Sequence, residues 1–262
     1  MHAGYEVLIG DHSMAARGKR ILEAMLDTAR PNTHRSPYYT GTRRVLMMYG
    51  AGLESRRLAL EEHLRKGGRA VIWDLGYWDR EEHMRLAIDG LHPTAAHLDL
   101  APPAPASRRH HTLRNDADPN GPILLIGLGM KSAALYHVKV MEWECKKAAE
   151  LRQRFPGRKI KWRPKGTLYA EIPGTQLCRD GSIEEALAGC SLVVCRHSNV
   201  GVDACIAGVP VETDDGAARA LYHGNPNPSP DQRSEFLRKL GYWNWSPAEA
   251  TSAWKWIEGA LA

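Results

Sequence analysis

Apolar and polar positions along the chain follow two rhythms, one of strands and one of helices. Tyr5–Gly10 is a short apolar run closing on glycine and predicts a first strand. From Ala15 to Arg30 the apolar residues Ile21, Leu22, Met25 and Leu26 fall on one helical face, and Pro31 stops the helix. Arg44–Tyr49 predicts a second strand, Glu54–Lys66 a helix closed by Gly67-Gly68, and Ala70–Leu75 a third strand. Leu100–Pro122 is proline-rich and aperiodic, which predicts a linker or an edge loop. The rhythm restarts with a strand at Ile123–Ile126, a long helix over Ala133–Phe155 ended by Pro156-Gly157, and a strand at Lys159–Trp162. A helix opens after Gly181 with Ser182 as its N-cap. Ser191–Cys195 and Val209–Glu212 predict strands, Val200–Ala207 and Gly216–Tyr222 helices. Pro230–Leu240 and Pro247–Leu261 predict two terminal helices.

Repeated strand–helix units with short loops predict parallel sheets covered by helices. The expected fold class is α/β, with two Rossmann-like parallel-sheet domains and C-terminal helices. The expected boundaries are 1–118 and 119–245, with 246–262 a helix that packs back on the first domain. Ligands in such folds bind beyond the carboxyl ends of strands, and a cleft between domains is a further favoured place.

A length of 262 residues suits two domains. No apolar run approaches the roughly 20 residues of a membrane helix, so no membrane partner is expected. Met1–Gly10 has no basic segment leading into an apolar one, which predicts a cytoplasmic protein. Five cysteines without CxxC spacing argue against a disulfide framework and a structural zinc site. A net charge of +5 permits a polyanionic partner without requiring one. Asp214-Asp215 are adjacent rather than separated by one residue, so metal-dependent donor binding is not expected.

The candidate chemistry lies at strand ends. Cys195-Arg196-His197-Ser198-Asn199 passes from an apolar strand into a helix start, where Ser198 or Asn199 caps the helix and free amides suit an anion. Gly201 permits close approach of a ligand to the backbone. Gly127-Leu128-Gly129-Met130-Lys131-Ser132 offers a tight anion-binding turn with a lysine, but matches neither GxxxxGK[ST] nor GxGxxG. Arg163-Pro164-Lys165 places two cations at a strand end, fit for a diphosphate or simply a solvated basic turn.

The segment Ser191–Glu212 resembles the donor-site segment of GT-B fold glycosyltransferases: a strand, Ser/Asn-rich residues, a glycine, a small-residue helix and a Gly-x-Pro-Val strand. The resemblance implies that Ser198, Asn199 and Gly201 contact the diphosphate or sugar of a nucleotide-sugar, taken as UDP-linked. His197 and Asp203 join that donor set, with Gly127, Gly129, Lys131, Ser132, Arg163 and Lys165. Glu212 and Asp214 are further candidates beside Asp203 for ribose or sugar hydroxyls. No cofactor beyond the donor is implied.

In the first half, Trp73-Asp74-Leu75-Gly76-Tyr77-Trp78-Asp79-Arg80 crowds acids, aromatics and a cation at a strand end. Direct displacement by a hydroxyl needs a general base, for which Asp79, Asp74, His92 and His12 are candidates. Asp74 reads equally well as a turn cap and the aromatics as core. The GYWDR and GLHP pieces resemble short phage-encoded glycosyltransferase-like proteins, some relatives of which modify hydroxymethylated bases, such as hydroxymethylcytosine, in viral DNA. That resemblance implies a host-cytoplasmic enzyme acting on double-stranded DNA, with Tyr77, Trp78, Arg80, Arg43 and Arg44 on the acceptor. Arg17, Lys19, Arg20, Arg30 and Arg35, with Tyr38 and Tyr39, add cations and rings that suit a phosphate backbone and an extruded base, or a solvated face. Two alternatives stand beside this: the same transfer to a glycan or small molecule, and a non-catalytic nucleotide- or DNA-binding protein.

Overall fold

The computed structural model describes residues 1–9, 15–28, 32–102, 111–167 and 169–262. In chain order the first elements are β1 (His2–Leu8), α1 (Ala16–Asp27), β2 (Thr33–Ser36), β3 (Arg43–Tyr49), α2 (Glu54–Arg65), β4 (Arg69–Leu75), β5 (Met84–Ile88) and α3 (Ala95–Leu98). Then come β6 (Ile123–Ile126), α4 (Met130–Leu135), α5 (Glu142–Arg154), β7 (Ile160–Arg163), β8 (Gln176–Leu177), α6 (Ile183–Leu187), β9 (Leu192–Cys195), α7 (Val200–Ala207) and β10 (Val211–Thr213). The chain ends in α8 (Arg219–Tyr222), α9 (Pro230–Leu240), β11 (Asn244–Trp245) and α10 (Ala250–Leu261).

These elements form two compact units, Met1–Arg108 with Arg238–Ala262, and Arg109–Leu237. The division differs from the expected boundaries at 118 and 245 for two local reasons. Residues 111–118 are docked on α7, through Arg114 N–H to the Ile206 carbonyl (2.9 Å) and Asp116 N–H to the Ala207 carbonyl (2.8 Å). The buried Arg233 clamps the same segment by donating to the Arg114 and Cys205 carbonyls and to Asn115 Oδ1. At the other end, β11 pairs with β5 and so belongs to the first sheet.

The first sheet has the order β11-β5-β4-β3-β1-β2. The four strands β2, β1, β3 and β4 are parallel, whereas β5 runs antiparallel to β4, and β11 antiparallel to β5. The four parallel strands are the expected Rossmann-like core, and β5 and β11 extend it by an antiparallel edge. β4 and β5 are joined by residues 76–83, too short for the helical crossover that parallel neighbours require. Val45–Tyr49 in β3 is a continuous buried run, as befits a strand covered on both faces. One cover is α1, which buries Ile21, Leu22 and Met25. Its Gly18 is needed for that approach, because a Cβ there would lie 2.4 Å from the Tyr49 ring. α10 packs beside it: the buried Trp254 donates its indole N–H to the Met25 carbonyl at 2.9 Å and meets Tyr5 edge-on at 4.7 Å.

The second sheet is all parallel, in the order β10-β9-β6-β7-β8. Counted along the chain this is third-second-first-fourth-fifth read from the β8 edge, the Rossmann arrangement, and the direction of winding reverses between β6 and β9. All four β6 residues are buried, and Trp162 of β7 packs with Leu125 and Val194 in one core. Ser182 caps α6 in a full capping box with Glu185. The single long helix expected over 133–155 is instead two, α4 and α5. His137 and Met141 between them sit at φ 52° and 69°, left-handed values that no helix continues through. Glu142 stabilises the break by accepting from the Lys139 N–H at 2.9 Å. Among the described residues no helix is long and apolar enough to cross a membrane.

Candidate functional site

The reversal between β6 and β9 brings the turn after Ile126 beside the turn after Cys195, where a doubly wound sheet opens a crevice. Gly127 is required by the neighbouring strand: a Cβ there would lie 2.8 Å from the Trp162 ring and 2.9 Å from Lys165 N. Gly129 adopts φ 76° as the chain turns into α4. The Leu128 amide between them is already spent on the buried Glu144, whose Oε1 accepts from it at 2.8 Å. The turn is therefore held from below at Leu128, whose amide is not offered to an anion.

α4 then presents Ser132, and Tyr136 follows at its C-cap, one turn on. Ser132 Oγ is 3.1 Å from His197 Nε2. The Tyr136 hydroxyl donates to Asp215 Oδ2 at 2.7 Å, and its ring lies 5.2 Å from that of His197. Burial first, and the bond to Asp215 second, hold the Tyr136 phenol far above its usual range, so it stays a neutral donor. The Arg196 guanidinium stacks on the same ring at 4.0 Å. Among the described residues nothing reaches its buried Nε. Asp215 has its Oδ1 committed to the Gly216 amide at 2.6 Å. Arg196 thus keeps a cation at the switch point, oriented by an aromatic face rather than by a carboxylate.

The start of α7 differs from expectation. Ser198 Oγ accepts from Val200 N–H at 3.3 Å, the Ser198 carbonyl from Gly201 N–H, and the Asn199 carbonyl from Val202 and Asp203 N–H. The first-turn amides are satisfied internally, so they are not a ready anion site. Gly201 serves packing instead, since a Cβ there would lie 2.8 Å from that of Ala218. Asp203 lies half-buried on α7. Arg163 is also reassigned: its Nη1 donates to the Cys178 and Asp180 carbonyls and its Nη2 to that of Gly181 at 2.8 Å, which ties down the loop before α6. Lys131 and Lys165 are exposed at the same sheet edge. Glu212 pairs with Arg154 and Lys147, and Asp214 takes the Trp143 indole N–H and Lys147, so both acids hold α5 in place.

In the first unit, Asp74 ends β4 with Oδ2 on Arg85 (2.8 Å) and Oδ1 on the Leu75 amide (2.7 Å). With both oxygens engaged it braces the end of the strand. Tyr77 is fully buried, Trp78 is 8% exposed, and His92 faces the Tyr77 hydroxyl at 3.4 Å inside the same core. The expectation that these rings stack on an acceptor, and that His92 meets one, is corrected by that burial. Arg80 donates to the Gly76 and Tyr77 carbonyls and closes the turn. Asp79 is exposed on that turn at φ 46°. Arg43 and Arg44 begin β3, and so stand at the opposite end of the parallel strands from Asp74. The expected gathering of all these residues at one place is not what the strands produce. His12 lies outside the described residues.

No family model matches the chain, and no curated protein matches it. Solved structures share its fold, among them the following two. One is Thermosulfurimonas dismutans KpsC, beta Kdo 2,4 transferase, at TM-score 0.54 and 10% identity over 94% of each chain. The other is Thermosulfurimonas dismutans KpsC, beta Kdo 2,7 transferase, at TM-score 0.53 and 13% identity over 97% of this chain and 99% of that one. At such identities the likeness is one of architecture alone, the fold of two α/β units described above. Arg196, Tyr136 and Asp215 were not among the residues the sequence singled out. The signal for the first was its place beside His197, and for the second its spacing of four from Ser132.

Proposed function

We propose that the protein is a glycosyltransferase that moves a sugar from a nucleotide-sugar, UDP-linked by the sequence resemblance, to a hydroxyl acceptor. The observation that carries this is the Ser132–His197–Arg196–Tyr136 cluster at the switch point of the second sheet. The fold likeness to two sugar transferases supports it. In the reaction, the acceptor oxygen forms a bond to the anomeric carbon as the bond from that carbon to the diphosphate oxygen breaks. The acceptor proton passes to a base, for which the exposed Asp79 is the described candidate. The charge that develops on the departing diphosphate is met by Arg196, with His197 and the exposed Lys131. Fixed cations aimed at developing charge are worth more than mobile ones because they need no reorganisation.

The test is thermal stabilisation by a panel of nucleotide-sugars. A ligand bound only by the native state raises Tm, by about 2.7 kcal/mol of stability at a hundred times its Kd. The expected result is a rise with one nucleotide class that disappears in Arg196→Met. No rise with any member, or a rise that Arg196→Met leaves intact, overturns the assignment. A narrower acceptor, a hydroxymethylated pyrimidine in phage DNA, draws its support from the GYWDR and GLHP resemblance alone. Salt-sensitive retardation of a hydroxymethylated duplex is its test.

A further inference from the structure

The Arg196 cation stands beside a carboxylate with which it does not pair. Arg196 follows β9 and Asp215 follows β10, and these strands are parallel neighbours, with Cys195 opposite Thr213. The two chains stay joined past the strand ends. The Asp215 amide donates to the Arg196 carbonyl at 2.6 Å, and the Thr213 hydroxyl donates to the same carbonyl at 2.9 Å. An arginine and an aspartate that spring from backbones joined in this way are placed to form an ion pair. They do not form one. The guanidinium lies on the Tyr136 ring, 4.0 Å from its centroid, and among the described residues no carboxylate joins it there. The Asp215 carboxylate is drawn elsewhere, with Oδ2 on the Tyr136 hydroxyl at 2.7 Å and Oδ1 on the Gly216 amide at 2.6 Å. One side chain, at the C-cap of α4, thus engages both charges, the cation by its face and the anion by its hydroxyl. Burial first, and the bond to Asp215 second, hold that phenol far above its usual range, so at neutral pH the hydroxyl is always there to donate.

We propose that Tyr136 is a positioning residue that keeps Asp215 off Arg196, so that the cation is left open to the diphosphate of the donor. An arginine paired with a carboxylate carries no net charge, and an incoming anion has to displace that carboxylate before it can bind. A guanidinium on an aromatic face keeps its full charge, because the ring attracts it through its quadrupole and brings no counter-charge. The bond from the hydroxyl to the carboxylate is charge-assisted, the stronger kind, and so competes with the ion pair. The position therefore calls for tyrosine and not merely for an aromatic: phenylalanine keeps the seat for the cation and loses the hold on the anion. That the anion to be bound is a donor diphosphate rests on the glycosyltransferase reading; the separation of the two charges rests on these three side chains.

The experiment follows the Arg196 Nε–H signal of the full chain by NMR, assigned by its loss in Arg196→Met, together with UDP affinity by calorimetry. The Nε is buried, which shields its proton from exchange with water. A proton held over an aromatic face is shifted upfield by the ring current, and that is the position expected in the parent chain. In Tyr136→Phe the released Asp215 is expected to take up Arg196 and draw the signal downfield. UDP affinity is expected to fall with it about tenfold, equivalent to roughly 1.4 kcal/mol. In Tyr136→Phe/Asp215→Asn the competing charge is gone, and both signal and affinity are expected to return to their parental values. Removing a second side chain does not restore what is lost through packing alone, so the double variant separates positioning from structural damage. A signal that does not move in Tyr136→Phe overturns the proposal, and so does a shift that Asp215→Asn fails to restore. If the double variant does not fold, Tyr136→Phe against Asp215→Asn carries the comparison, since only the first is expected to move the signal downfield. UDP binding that is absent from the parent chain, or intact in Arg196→Met, sinks the donor reading; the Arg196 signal still decides whether Tyr136 parts the two charges.

Discussion

Two arginines, Arg163 and Arg196, stand at the carboxyl ends of β7 and β9, on either side of β6 in the second sheet, and their surroundings separate their roles. Arg163 distributes its donors over three carbonyls of the loop at 178–181. Arg196 lies on an aromatic face. Replacing Arg163 by Met is expected to lower stability by about 1 kcal/mol, the net worth of such bonds at an exposed position, with nucleotide-sugar affinity unchanged by calorimetry. Replacing Arg196 by Met is expected to do the reverse: a near-native midpoint in urea, and donor affinity reduced about tenfold or more. The sequence showed cations at both strand ends. It did not show which of them meets carbonyls, because the loop that Arg163 holds is far along the chain and has no pattern of its own. Burial of Tyr77 and His92 was hidden for a similar reason: an aromatic at a strand end looks the same whether it faces a ligand or a second layer of core.

Elements whose signals are local were legible. The Ser182 cap and the bounds of β6, α7 and α9 follow from residues within one turn of each. The elements that were missed depend on partners elsewhere. β5 is wholly buried, yet Arg85 interrupts its apolar run, and the pairing with Asp74 offsets the burial of its charge. β2 is a polar edge strand, and β8 and β11 are two residues long, so none has a periodicity to read. The meeting of α1 with β3 is a test of the close-packing argument. Gly18→Ala places a methyl against the Tyr49 ring, and the helix must move to admit it. The expected cost is about 1–3 kcal/mol in denaturant unfolding, despite the higher helix propensity of alanine. A stability equal to or above that of the parent chain contradicts the contact.

At the scale of the whole molecule, the two units give separate handles. Trp254 is buried in the first unit, and Trp254→Ala is expected to cost about 3–5 kcal/mol there. Calorimetry is expected to show one transition shifted down and a second, the one that a nucleotide-sugar raises, left in place. A single transition that moves as a whole contradicts independent units. The return of β11 and α10 to the first sheet has a further consequence for how the molecule comes into being. A ribosome emits the chain from its N-terminus. Residues 109–237 leave the exit tunnel as a complete set, while β5 still waits for its neighbour and Tyr5 for the indole of Trp254. The unit begun first is completed last. Until then its open β-edge is exposed to whatever other chains the cell is making.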